Sequence, residues 1–333
     1  MNRTKTWLLV LIGTLAACSP LAPPVGDPVG TQAPRVFRIS AQGVNNVNDV
    51  PALMALEELK QLGYQYEVIV FAKGSLIIPA LLQGDINLAT ASSTFVASAL
   101  AEGADIRTIA GRSKTTFLLV AKAEIEDCHD LDGKTVAMSS LTAVGYHMYE
   151  RYVEQHCPEI APEIVLISGA DNRIVALQAG ELDAAYLGLE EWLHLQEVAP
   201  GQFRILIDFQ REFPEIQMFG FSVRREWAEQ NPDMVKDFVR ALLELQRRII
   251  KDPQLLADGI AKHVDVEPEW ARRLADEYLA AQMWDPNGQF TEENIEATLD
   301  FFRERRIVAT DLTVEQFADL SYLDAVLEAI GRW

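Results

Sequence analysis

Two decapeptides of this chain echo each other. Ala80 to Ala89 reads ALLQGDINLA, Ala176 to Ala185 reads ALQAGELDAA, and the two are separated by a constant offset of 96 residues. The echo keeps Ala-Leu, a Gly, an acid after it, an aliphatic residue, then Asn or Asp and a final Ala. Each copy reads as a helix ended by a glycine just past its last turn and followed at once by a short buried strand. A helix-to-strand unit used twice at domain-sized spacing predicts two similar lobes. Two lobes imply a cleft, and clefts between lobes are where small ligands bind.

The N-terminal residues predict export. Met1 to Cys18 has a basic start (Arg3, Lys5), an apolar run from Trp7 to Ile12 and the exit Leu15-Ala16-Ala17-Cys18. Residues 1–17 read as a secretory signal, to be set aside from fold reasoning. The apolar run is shorter than the roughly twenty residues of a stable membrane span. Leu-Ala-Ala-Cys resembles the bacterial lipoprotein cleavage box, so Cys18 is the expected lipidation site, and the membrane is expected to be reached through that anchor alone. Residues 18–34 contain five Pro and two Gly, a composition that buries no core and extends as a tether.

From Arg35 onward about 300 residues remain, enough for two ordinary domains. The formal charge of −20 makes nucleic acid and anionic membrane surfaces poor partners. Cys128 and Cys157 are the cysteines left beyond Cys18, and in an oxidising compartment they are expected to form a disulfide, the alternative being two free thiols.

Strands alternating with helices predict an α/β lobe with a largely parallel sheet. Strands are expected at Val36–Ala41, Tyr66–Phe71 and Ile86–Ala89. Helices are expected at Pro51–Leu62, capped by Asn48 or Asp49, at Leu76–Gln83, and from the Thr90–Thr94 loop to Glu102. The β-rich run Thr116–Ala121 crosses to a second lobe, where the pattern restarts with strands at Thr135–Met138, Ile164–Ile167 and Leu182–Tyr186. Runs at Phe203–Phe209 and Met218–Val223 return the chain. The expected division is 35–115 with 217–333 as lobe 1 and 116–216 as an inserted lobe 2. From about Glu226 the chain reads as helical, and a stripe at 235, 238, 239, 242, 243, 245 and 249 is expected to pack on lobe 1.

Ligands of parallel α/β lobes sit outside the carboxyl ends of the strands, where helix N-termini expose N–H groups. This marks Asn45 and Asn46, Ser92, Ser93 and Thr94, Leu141 and Thr142, Asp183, Tyr186 and Glu190 as candidate ligand contacts. Each also has a structural reading, as a cap, turn or core residue. Arg112, Lys114 and Arg173 are the nearest cations. The sequence contains no Gly-x-Ser-x-Gly elbow, P-loop or His-Glu-x-x-His, and its histidines form no metal-type cluster, so neither catalysis nor a cofactor or metal is expected.

Several motifs recur in an order that belongs to a known family. They are the first echo, Ser92-Ser93, Ala99-Leu100-Ala101-Glu102-Gly103, Asp130-Leu131-Asp132-Gly133-Lys134-Thr135-Val136, the second echo, and Asp319-Leu320-Ser321-Tyr322-Leu323. Together they resemble the substrate-binding proteins of ABC importers for nitrate, sulfonates, taurine and thiamine-pyrimidine precursors, from Val36 to the C-terminus. The resemblance implies a two-lobed type II periplasmic-binding-protein fold, a monomer that closes on a small solute and delivers it to permease and ATPase subunits. It maps the family's cleft onto Asn45 and Asn46, Ser92 to Thr94, Leu141 and Thr142, and Asp183 to Glu190. Many members open the second-lobe helix with Gly-Ser, where this chain has Leu141-Thr142-Ala143, a departure that weakens the case for nitrate or a sulfonate. A lipid-anchored sensor of the same fold is the alternative. A thiamine-pyrimidine-synthase-like enzyme is a more distant one, because the Cys-rich motif is missing.

Overall fold

The computed structural model of the chain describes residues 35–42 and 46–333. Among the described residues, ten strands form two sheets of the same design. In the first, β1 (Arg35–Gln42) pairs in parallel with β2 (Tyr64–Phe71). The parallel bridge Ile39–Leu88 brings in β3 (Ala89–Ser92), which pairs antiparallel with β10 (Phe219–Arg224), itself antiparallel to β4 (Ile106–Ser113). The order across the sheet is therefore β2-β1-β3-β10-β4. The second sheet has the order β7-β6-β8-β5-β9, built from β5 (Phe117–Lys122), β6 (Thr135–Met138), β7 (Glu163–Leu166), β8 (Ala184–Gly188) and β9 (Phe203–Asp208). Its outer trio is parallel, and β5 runs against both neighbours.

Each sheet thus has one reversed strand in its fourth position, and in both lobes that strand carries the chain across from the other lobe. The largely parallel sheet expected from alternating strands and helices is interrupted once per lobe for this reason. Central strands are covered on both faces: all five residues of β8 are buried, as is most of β4. Such strands lose the alternation that half-buried ones show.

The echo takes the same backbone form in both lobes. Helix Ile77–Gln83 ends at Gly84 with φ 84°, and helix Ala170–Gln178 is succeeded by Gly180 with φ 77°. In each, the residue after the glycine donates its N–H to the carbonyl five positions back, Asp85 to Ala80 and Glu181 to Ala176, both at 3.0 Å. This is the left-handed helix end that favours glycine. The next strand starts later than its sequence predicts, at Ala89 and Ala184, because the residues between are occupied in turning.

Helix Pro232–Lys251 buries Val235, Phe238, Val239, Leu242, Leu243, Leu245 and Ile249 against lobe 1. Phe238 meets Phe37 of β1 and Phe221 of β10, with ring centroids 5.9 and 5.1 Å apart; burying a side chain of this size contributes roughly 1.5–3 kcal/mol. The C-terminal helices also reach lobe 2, which their amphipathic pattern does not reveal. Arg273 pairs with Glu197 at 2.7 Å, Gln210 donates to the Ala281 carbonyl at 2.8 Å, and Arg305 forms a two-pronged pair with Glu154. Thr313 and Gln316 form the reciprocal cap their spacing predicts. Cys128 and Cys157 are bonded and join the turn Cys128–Leu131 to the end of helix Val144–His156. No helix among the described residues is long and apolar enough to cross a membrane. Residues 1–34, with the expected signal, Cys18 and the tether, lie outside the described residues.

Candidate functional site

A cavity of about 320 Å³ opens where the two lobes meet the two crossings. Phe117 opens β5 and Phe219 opens β10, so one aromatic ring stands at each crossing; the rings are 6.2 Å apart and both line the cavity. Lobe 1 supplies a polar wall of Gln42, Asn46, Asn48, Thr90, Ser92 and Arg112. Lobe 2 supplies Gly188 to Glu191, the start of helix Leu189–Val198, and the C-terminal helices add Tyr278.

Charge in this wall is organised around two acids. Asp49 is one of the two caps that the sequence predicts for the helix Val50–Leu59, but its side chain makes no capping bond. Its carboxylate instead accepts from Arg112 Nε at 2.6 Å, with both residues buried. Burial raises the Asp49 carboxyl above its ordinary value, and the nearby Arg112 charge only partly opposes this. Glu190 Oε1 accepts from the Tyr278 hydroxyl at 2.8 Å and the Val47 N–H at 3.4 Å. This one carboxylate of lobe 2 therefore touches both lobe 1 and the C-terminal helices. Burial raises its pKa too, against the Tyr278 bond, and neighbouring Glu191 adds to the rise. The Glu191 carboxylate folds back over Gly188 at the helix start, and a Cβ there would displace this flexible side-chain end.

The candidate residues divide sharply. Asn46, Ser92 and Glu190 line the cavity; Asn46 also caps the turn Val47–Asp49 by accepting from the Asn48 N–H. Asn45 lies outside the described residues. Ser93 is buried and donates to the Gln217 carbonyl at 2.6 Å, and Thr94 bonds to Ser92 Oγ at 2.8 Å without reaching the wall. Leu141 and Thr142 are exposed at the start of the lobe 2 helix and do not line the cavity, with Thr142 bonded to Ser140. Asp183 pairs with Lys122 at 2.8 Å and accepts the Thr135 N–H, tying β5 to β6 at the sheet end away from the cleft. Tyr186 stacks on Phe117 at 4.7 Å behind the wall and fills the space over Gly145. Its carbonyl accepts from Arg173 Nε at 2.6 Å.

Arg112, Glu191, Phe117, Phe219 and Tyr278 are wall residues that the sequence candidates do not include. The sequence marks Arg112 only as a near cation, and the aromatic opening each crossing strand is a readable signal. Tyr278 has none, being 88 residues from Glu190 in a uniformly helical stretch. Among the described residues no group of three or more His, Cys, Asp or Glu is placed to hold a metal ion.

One relative is the taurine-binding periplasmic protein of Escherichia coli (strain K12), 24% identical over 200 residues, which are 59% of this chain and 61% of that protein. The matched part therefore spans less than two thirds of that relative's length. Among solved structures, the ligand-binding component of an ABC-type import system from Staphylococcus aureus, with zinc bound, superposes with a TM-score of 0.71 at 14% identity, covering 88% of this chain and 99% of that one. The periplasmic aliphatic sulphonate binding protein of Escherichia coli superposes with a TM-score of 0.68 at 18% identity, covering 86% and 92%. These likenesses show the two-lobed periplasmic-binding-protein fold that the motif series implies. The model of the family described as NMT1/THI5 like matches residues 61–255, from the approach to β2 through the whole of lobe 2 and helix Pro232–Lys251 into the helix that follows, and the chain belongs to that family.

Proposed function

We propose that the protein is the extracytoplasmic solute-binding component of an ABC importer, holding a small organic solute in the cleft between residues 35–115 with 217–333 and the inserted lobe 116–216. The observation that carries this is the cavity itself: polar groups from both lobes meet there, at the two crossings about which a hinge closes. Its volume equals that of about ten waters at ~30 Å³ each, which suits a compact solute. The relatives' names, taurine-binding and sulphonate-binding, support this class of ligand. Asn46, Ser92 and Glu190 are the contacts proposed from the sequence candidates, joined by Arg112, Phe117, Phe219 and Tyr278. In this reading Cys18 carries the lipid that keeps a monomeric protein beside its permease and ATPase.

The test is a thermal-shift screen of the purified protein against taurine, alkanesulfonates, nitrate and aminopyrimidines, then calorimetric titration. A true solute at a hundredfold its Kd stabilises by about 2.7 kcal/mol and raises the melting temperature by several degrees. A screen in which no member raises it would overturn the proposal.

A further inference from the structure

The charge left without an ion-pair partner around the cavity is mostly negative. Both hydrogen bonds to Glu190 fall on Oε1, so Oε2 has no partner among the described residues. Glu191, beside it in the wall, has neither an ion pair nor a hydrogen bond among them. Asn48 Oδ1 is buried with no partner, and its amide orientation is fixed because Nδ2 donates to Asn46 Oδ1 at 3.0 Å. Neutral donors on Gln42, Asn46 and Thr116 are unmatched among the described residues as well; the cationic one is the end of Arg112, a side chain 8% exposed, but its charge already faces Asp49 at 2.6 Å. Arg112 thus offers N–H bonds without much net attraction for an anion. Arg173, the next cation, sits behind Tyr186 with its N–H groups on the carbonyls of Tyr186 and Ile167. Two guanidinium groups therefore stand against three carboxylates, and the two unpaired carboxylates are the ones in the lobe 2 wall.

From this we infer that the cleft selects solutes that present a protonated nitrogen to Glu190 and Glu191, and disfavours solutes whose only charge is negative. The inference rests on the solute-capture reading and narrows it. A protonated amine supplies the donors that Glu190 Oε2 and Glu191 lack, and a polar or acidic tail on the same solute meets Arg112. Phe117 and Phe219 line the space between. A bare anion would face the carboxylates of lobe 2 with only Arg112, already paired to Asp49, to offset them once the cleft excludes water.

The experiment is calorimetric titration of the purified protein with matched pairs differing only in the nitrogen: taurine and ethanesulfonate, β-alanine and propionate, benzylamine and benzyl alcohol. At least one amine member is expected to bind and its partner to bind tenfold or more weakly. Glu190→Gln is expected to lower affinity for that amine by about 5- to 1,000-fold, the range between water-like and protein-like screening of one charge pair near 4 Å. Because Glu190 also bonds to Tyr278, Glu191→Gln, which breaks no bond among the described residues, is made alongside and is expected to lower affinity in the same direction. Ethanesulfonate or propionate binding as tightly as its partner, or unchanged affinity in both variants, would overturn the inference and leave solute capture standing. No binding by any member would overturn the inference, and solute capture would fall with it only when nitrate and the aminopyrimidines also fail to bind.

Discussion

The two lobes share a design and differ in chemistry. Both have the strand order with a reversed crossing strand in fourth place, and both carry the glycine-ended helix leading into the central strand. Beyond that strand they diverge. After β3, lobe 1 turns through Ser92 into the helix Ser93–Ala101 with small hydroxyl groups; after β8, lobe 2 turns through Gly188 into a helix whose first turn holds Glu190 and Glu191. The backbone repeat places two helix starts across one cleft, and the sequence immediately past the repeat decides what each presents. A shared frame thus supplies the geometry, while the residues just past it decide the chemistry each helix start presents.

The lobes also differ in how they use an Asp. Lobe 1 buries the Asp49–Arg112 pair, with side chains 6% and 8% exposed, whereas lobe 2 leaves Asp183–Lys122 24% and 23% exposed. Removing one partner of a buried pair strands the other charge, so Asp49→Ala is expected to destabilise by about 3–5 kcal/mol. Asp183→Ala loses a screened pair and the acceptor for the Thr135 N–H, together about 1–3 kcal/mol. Urea unfolding of both variants checks this. Equal losses would mean that the cleft-side pair is not shielded from solvent, and the contrast between the lobes would fail.

The next largest effect probes what the lobes share. Gly84 and Gly180 hold the same left-handed position, so Ala at either one should cost about 1–2 kcal/mol. A Cβ at Gly84 would lie 3.4 Å from the flexible end of Arg224, and one at Gly180 would meet nothing within 4 Å; neither site adds a steric collision. The two losses, measured by denaturant midpoint, are therefore expected to agree to within about 0.5 kcal/mol. Losses differing by more than about 1 kcal/mol would show that the echo is a likeness of sequence without a likeness of energetic role.

Much of this frame is legible in the sequence because its signals are local. A glycine past an apolar helix, Pro at a helix start and the stripe of helix Pro232–Lys251 each act within a few residues of themselves. β4 is hidden for a physical reason: Ile106–Ser113 is buried on both faces and includes Thr108, Gly111 and Arg112, so it shows neither alternation nor a plain apolar run. Strand direction is equally hidden, since β5 and β10 look like any other β-rich run until their partners are known. At the site, helix starts are readable as places, but the roles of side chains there are not. Ser93 and Ser92 are neighbours of one type, yet one donates to Gln217 and the other faces the cavity. Tyr278 and Glu190 meet only through tertiary packing.

The smallest expected effect is a divergence in pH response between the two acids. Burial raises the Asp49 carboxyl above its ordinary value, while the Lys122 charge and the Thr135 N–H, acting against partial burial, hold Asp183 below its own. For Asp49 the folded state takes up a proton before the unfolded chain does, so its cost is relieved as pH falls through the raised folded pKa toward the ordinary value near 3.8. For Asp183 the unfolded chain takes up the proton first. Its stabilisation is present above 3.8 and disappears as pH falls below that through the lowered folded pKa. Measured against Asp49→Asn, the unsubstituted protein should therefore gain relative stability on mild acidification, and measured against Asp183→Asn it should lose it at lower pH. Partial exposure of Asp183 keeps the second change small. If both differences decline together on acidification, Arg112 outweighs burial at Asp49, and the two lobes hold their acids in the same way despite the difference in depth.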